Sequence, residues 1–194
     1  MNLPNSLTLV RICLVPLLVV VLLTKFEGRQ ILGVPSELVG AAIFGLASLT
    51  DWADGYLARR RKQVTAFGQF IDPLADKLLT LAAFVSLVQM GLAPAWMVAV
   101  ILGRELAVTA LRSLTFARGV PIPASWLGKV KMGAQVVAIL ALILSQGQSR
   151  ELIWLGQAAL WVVIVTALAS AADYFRRFSL FPRHDVIARD DRVA

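Results

Sequence analysis

The chain has 194 residues, 58% hydrophobic and 16% charged, with a mean hydropathy of +0.75; soluble domains run about 45–50% apolar and about 25% charged, so the composition points away from a water-soluble globule. Nineteen Lys and Arg against twelve Asp and Glu give a net charge of +7, which in so apolar a chain reads as membrane orientation rather than nucleic-acid binding. One Cys and one His exclude a disulfide framework and a Cys/His zinc site, which needs about four such ligands, and leave any demanding chemistry to carboxylates.

A membrane helix needs about 20 mainly apolar residues, and six such spans are expected, giving an all-α polytopic membrane protein. The first runs from Ser6 to Thr24; no small-x-small cleavage site follows before Lys25, so it is expected to remain in the mature protein. Val39 to Thr50 begins the second, which continues into charge at Asp51. The uncharged run from Leu78 to Gly103 is broken at Gly91-Leu92-Ala93-Pro94, a turn that makes it the facing halves of spans three and four. Met132 to Ser149 and Leu152 to Ala172 are spans five and six, with a tight connection over Gly147 to Glu151. A six-span domain over 1–175 and a cytoplasmic tail over 176–194 follow, and no internal repeat is visible.

Basic residues alternate in side once the spans are laid out. Arg11, Arg59, Arg60, Arg61, Lys62, Arg112, Arg118, Lys129, Lys131, Arg176, Arg177, Arg183, Arg189 and Arg192 fall on one side, and Lys25, Arg29 and Arg150 on the other. This asymmetry puts both termini and the 2-3 and 4-5 loops in the cytoplasm. Trp96, Trp126 and Trp154 suit interfacial anchoring, Cys13 reads as apolar filler, and His184 stands in the polar tail without a role.

Four acids interrupt the second and third spans: Asp51 and Asp54, three apart, and Asp72 and Asp76, four apart. If both segments are helical, each pair shares a helix face, and the short basic turn from Arg60 to Thr65 makes the helices antiparallel neighbours. Two like charges about 4 Å apart repel by roughly 4 kcal/mol at an effective dielectric near 20. Divalent cations relieve that repulsion, and an all-oxygen ligand set selects Mg²⁺ or Mn²⁺, with Ca²⁺ able to compete. Four carboxylates have the capacity for two ions, an arrangement suited to phosphoryl displacement. Gly55 and Gly68 leave room for a ligand beside the acids, Ala58 extends that small face by one turn, and Pro73 deprives the Gln69 carbonyl of its usual partner. The competing reading, in which the acids merely pair with Arg59 to Lys62 at solvated helix ends, does not account for two acids on one face of an apolar span. For that basic run, anchoring explains most of it, and Arg59, one turn beyond Gly55, is the candidate for a substrate phosphate.

Written out, Asp51-x2-Asp54-Gly55-x2-Ala58-Arg59-x8-Gly68-x3-Asp72-x3-Asp76 resembles the signature of the CDP-alcohol phosphatidyltransferases. The resemblance implies a six-helix integral membrane enzyme of the bacterial cytoplasmic membrane, homodimeric, with its active site facing the cytoplasm, that moves a phosphatidyl group from CDP-diacylglycerol to an alcohol and releases CMP. It makes Asp51, Asp54, Asp72 and Asp76 metal-associated, with Asp76 also the general base, and it puts Thr8, Gly55, Ala58, Arg59 and Gly68 around the nucleotide. Three further segments, Asn5 to Arg11, Arg104-Glu105 with Thr109 to Arg112, and Trp126 to Lys131, are similar to the branch whose acceptor is glycerol 3-phosphate. Met132-Gly133 departs from that branch, which often carries Thr after the second Lys.

An anionic acceptor needs cations, and Arg112, Lys129, Lys131 and Arg104 are the candidates, Arg104 lying two turns before Arg112 on one helix. For Lys129 and Lys131 the competing reading is topological bias, and for Arg104-Glu105 an internal ion pair. Lys77, beside Asp76, either balances the acids or snorkels to the interface. Other acceptors open to the family are inositol phosphate, serine and phosphatidylglycerol. From another class, a cation transporter would use the acids as a permeation site, but it predicts them near mid-membrane and often a repeated topology.

Overall fold

The computed structural model describes residues 3–24, 30–31, 33–61, 66–117, 126–147 and 150–179; for 3–8, 51–61, 66–74, 76, 112–117, 126, 127, 129, 147, 173–175 and 177–179 the description is of the backbone alone. Six helices make the fold among these residues: α1 (Leu3–Leu23), α2 (Ser36–Arg61), α3 (Ala66–Gln89), α4 (Ala95–Ala117), α5 (Trp126–Leu144) and α6 (Arg150–Ser179). The one extended element described is a two-residue antiparallel ladder before α2, Gln30–Ile31 (β1) against Val34–Pro35 (β2), with Gly33 at φ 80° between them. The all-α expectation holds.

Every helix runs past, at one end or both, the apolar stretch that marks it in the sequence. Backbone hydrogen bonds continue through charged residues, so α2 extends through Asp51 and Asp54 to Arg61, and α6 crosses residue 175 to end at Ser179. Pro16 and Pro73 are each taken up inside a helix, α1 and α3, without a break. Among the described residues only Arg150–Ala172 of α6 is long and apolar enough to cross a membrane by length and composition; Leu9–Leu23, Ser36–Thr50, Lys77–Gln89 and Val130–Leu144 are shorter apolar stretches. α2 and α3 carry the acids at their adjoining ends, and α4 carries Arg104-Glu105 in its middle.

The break between α3 and α4 falls where expected. The Leu92 N–H donates to the Leu87 carbonyl at 2.9 Å, and the Gly91 N–H to Val88 at 3.0 Å. Gly91 itself is at φ 74°. This is a Schellman ending, with glycine where the chain turns left-handed. Pro94 then precedes α4, and its carbonyl accepts from Met97 at 3.1 Å. The Gln157 side-chain amide donates to the Leu92 carbonyl at 2.8 Å, fastening α6 to the same turn.

The core gathers Leu18 of α1, Phe44 of α2, Leu79, Phe84 and Leu87 of α3, Ile101 of α4, Ile139, Leu142 and Ile143 of α5, and Leu160 and Val163 of α6, all essentially inaccessible. Outside that core the surface remains apolar: Leu46, Leu49, Leu106, Trp154, Val165 and Leu168 are all more than half exposed. A bundle apolar inside and out suits a lipid surround better than water. Trp96 and Trp161 stack edge-on with centroids 5.8 Å apart, and Trp96 and Trp154 are exposed, as anchoring side chains should be. Cys13 is exposed as well. Trp126 keeps no described side chain, and Lys25, Arg29, Lys62, Arg118 and residues 180–194, with His184, lie outside the described residues.

α5 and α6 form a close pair, joined by a turn of 3-10 helix at Ser145–Gly147. Their approach depends on Gly156, where an added Cβ would stand 2.6 Å from Leu142 Cγ and 3.3 Å from the Leu142 nitrogen. Gly156→Ala is therefore expected to force the helices apart and destabilise by about 1–3 kcal/mol. Gly91→Ala meets no neighbouring atom but strains a left-handed residue by about 1–2 kcal/mol. Thermal unfolding of the solubilised variants checks both, and unchanged midpoints would contradict this packing.

Candidate functional site

Because α2 is continuous to Arg61 and α3 begins at Ala66, the residues of the acidic signature occupy helical positions on both sides of one connection. At about 100° per residue, Asp51, Asp54, Gly55, Ala58 and Arg59 fall within roughly 140° of the α2 circumference. Gly68, Asp72 and Asp76 fall within roughly 80° on α3. The two helices are in contact. Ala75, between the two α3 acids, is wholly buried, so α3 is packed on the bundle at the level of its acids. The side chains of Thr8, Asp51, Asp54, Ala58, Arg59, Asp72, Asp76, Arg112 and Lys129 lie outside those described. Among the described side chains no group of three or more His, Cys, Asp or Glu stands together.

Beginning at Lys77, the residue after Asp76, the described side chains build a polar layer through four helices. Lys77 of α3 donates to the Thr109 hydroxyl of α4. That hydroxyl donates in turn to the Glu105 carbonyl at 2.7 Å. The Glu105 carboxylate pairs with the Lys131 ammonium of α5 and stands 3.8 Å from Arg104 Nη1. Arg104 reaches α6, where Nε donates to the Ala167 carbonyl at 3.3 Å and Nη2 donates to Ser170 Oγ. Lys131 is 3% exposed and Ser170 wholly buried.

These contacts give several sequence candidates definite neighbours. Lys77 donates to the Thr109 hydroxyl of α4. Arg104 and Glu105 are 3.8 Å apart, and the guanidinium is engaged by α6. Lys131 is buried in an ion pair, whereas topological bias alone would leave it at the surface. Arg11, counted on the cytoplasmic side, is 3% exposed and belongs to the interior of the bundle. The sequence singled out Glu105 with Arg104 as an internal ion pair, and Thr109 within a segment of the resemblance, but neither the pairing of Glu105 with Lys131 nor the part of Ser170. Glu105 had a signal, an acid among apolar residues, but a serine in an apolar helix has none.

Comparison with known proteins bears on the same helices. A family model described as CDP-alcohol phosphatidyltransferase matches residues 1–170. The chain is 47% identical over 183 residues, 91% of its length and 94% of the relative's, to the CDP-diacylglycerol--glycerol-3-phosphate 3-phosphatidyltransferase of Bacillus subtilis. A protein of the same name from Pectobacterium atrosepticum is 35% identical over 192 residues, 96% of this chain and 97% of that one. A probable phosphatidylglycerophosphate synthase of Mycobacterium tuberculosis is 47% identical over 138 residues, 71% of this chain and 64% of the relative.

The polar layer yields a stability test. Ser170→Ala removes little more than the hydroxyl, the buried acceptor of the Arg104 guanidinium, which costs about 1–3 kcal/mol. Leu168→Ala, at an exposed position, is expected to stay within about 0.5 kcal/mol of the parent. Equal unfolding midpoints for the two variants would refute the Arg104–Ser170 contact.

Proposed function

The chain belongs to the CDP-alcohol phosphatidyltransferase family, and from that membership we propose that it transfers the phosphatidyl group of CDP-diacylglycerol to glycerol 3-phosphate, with release of CMP. The observation that carries the acceptor is 47% identity over 91% of the chain to a relative named for that reaction. The polar layer supports it, since α4 links the cation Lys131, through Glu105 and Thr109, to Lys77 beside Asp76.

In this reading Asp76 takes the proton of an acceptor hydroxyl, whose oxygen attacks the lipid-linked phosphorus in line with the bond to CMP. The new oxygen–phosphorus bond forms as the pyrophosphate link breaks, and CMP leaves with the electron pair of that link. Thr8, Gly55, Ala58, Arg59 and Gly68 surround the nucleotide, the small residues leaving room for it against helix backbone. Arg112, Lys129 and Lys131 take the acceptor's phosphate. Arg104, held by Ser170 and the Ala167 carbonyl, braces α4 against α6 from its position two turns before Arg112.

The donor set fits a divalent metal. Asp51, Asp54, Asp72 and Asp76 offer only carboxylate oxygens at helical spacings that favour shared faces, and they would hold a pair of Mg²⁺ or Mn²⁺ ions. Bound there, such ions neutralise charge on the pyrophosphate oxygens.

The enzyme sits in the bacterial cytoplasmic membrane as six spans, with both termini and the site on the cytoplasmic side, as a homodimer. The asymmetry of basic residues supports the orientation, and the apolar outer surface supports the lipid surround. The homodimer follows from the family resemblance alone.

Purified protein given CDP-diacylglycerol and a panel of alcohols is expected to release CMP with glycerol 3-phosphate and not with serine, inositol phosphate or phosphatidylglycerol. EDTA should abolish release, and Mg²⁺ or Mn²⁺ should restore it. Arg112→Ala or Lys129→Ala should raise KM for glycerol 3-phosphate roughly tenfold to a hundredfold, the cost of a charge-assisted contact. Asp76→Asn should instead lower kcat at nearly constant KM. A preference for another acceptor, or full activity in excess EDTA, would overturn the corresponding part of the reading.

A further inference from the structure

One turn of α4 touches both neighbours that bear on the transfer. Glu105 faces α5 through its carboxylate, on the ammonium of Lys131. Thr109 faces α3 through its hydroxyl, on the ammonium of Lys77, and Lys77 follows Asp76 directly. The two α4 residues are themselves joined, since the Thr109 hydroxyl gives its proton to the Glu105 carbonyl at 2.7 Å. With that proton committed, the oxygen can meet Lys77 only as an acceptor, which is what an ammonium requires.

The charge on Lys131 needs this arrangement. Its side chain is 4% exposed, while that of Glu105 is 21% exposed. An ammonium so buried is costly unless a carboxylate compensates it. A lysine head on a four-carbon stem is also poorly placed unless something holds it. Glu105 does both.

We propose that Glu105 and Thr109 are positioning residues for the transfer. Glu105 fixes Lys131 for the acceptor's phosphate, and Thr109 fixes α3 through Lys77, so that one turn of α4 sets the acceptor cation against Asp76. The role of Glu105 rests on the acceptor reading given above. Neither residue touches the reacting atoms. Each therefore has a distinct kinetic signature: loss of Glu105 weakens acceptor binding, and loss of Thr109 slows turnover.

The test is steady-state CMP release by the full-length protein in lipid nanodiscs, varying glycerol 3-phosphate and CDP-diacylglycerol separately, with thermal unfolding of each variant alongside. Glu105→Gln is expected to raise KM for glycerol 3-phosphate about tenfold, with kcat within about twofold and KM for CDP-diacylglycerol unchanged. Glu105→Asp should recover part of the loss. The double variant Glu105→Gln with Lys131→Met should be no worse than Lys131→Met alone, because Glu105 acts through that lysine. Thr109→Val, equal in shape but without the hydroxyl, should lower kcat several-fold, and Thr109→Ser should restore it. If Glu105→Gln does not fold, Glu105→Asp carries the same expectation of a raised KM at constant kcat.

Additive losses in the double variant, or losses that track only the amount of folded protein, would overturn the positioning role. CMP release by the wild type with variants of unchanged KM and kcat would do the same while leaving the acceptor reading intact. No release by the wild type with glycerol 3-phosphate, against release with another alcohol, would overturn the acceptor reading and the Glu105 role with it.

Discussion

Charge that must live inside an apolar bundle constrains everything else in this protein. Its helices are hydrophobic on the faces that meet one another and on many that do not, so each ionised group within them needs a partner close at hand. The chain meets that need in two ways. In the layer through α3, α4, α5 and α6 the compensation is internal: Lys131 is matched by Glu105, and Arg104 by Glu105 with two oxygens of α6. In the α2–α3 hairpin four acids stand at helical spacing with fixed neighbours of small size, and compensation by bound cations is the reading the family supports.

The internal layer also explains why the fold can place the hairpin. α3 is anchored at Lys77 by Thr109, and by its buried Ala75, Leu79 and Ala83 against the core. At its other end α3 closes in the Schellman turn that Gln157 of α6 holds. The helix is thus fixed at two points about twelve to fifteen residues apart, with the acids just beyond the first.

Local chemistry made part of this legible. Gly91 followed by Pro94 can be read as a turn because a left-handed residue and a missing N–H are properties of single residues, and the chain turns there. The acidic signature was legible for the same reason, as identities at fixed spacing. Helix ends were less so: the apolar run of span two stops at Thr50, but the backbone of α2 continues to Arg61, since hydrogen bonding along a helix is indifferent to polarity. The pairing of Glu105 with Lys131 was not legible, because it joins residues 26 apart through the relative rotation of two helices, which packing decides. Ser170 was invisible for a simpler reason, that a small hydroxyl residue in an apolar helix looks like any other until an arginine reaches it.

The central claim is that the four aspartates of α2 and α3 form a cation site distinct from the internally balanced layer. Equilibrium binding of Mn²⁺ to the purified protein, followed by electron paramagnetic resonance, tests it without recourse to turnover. Binding by the wild type and by Glu105→Asp, with loss in Asp51→Asn and in Asp72→Asn, is the expected result. Equal Mn²⁺ binding by all four proteins, or none by the wild type, would contradict it.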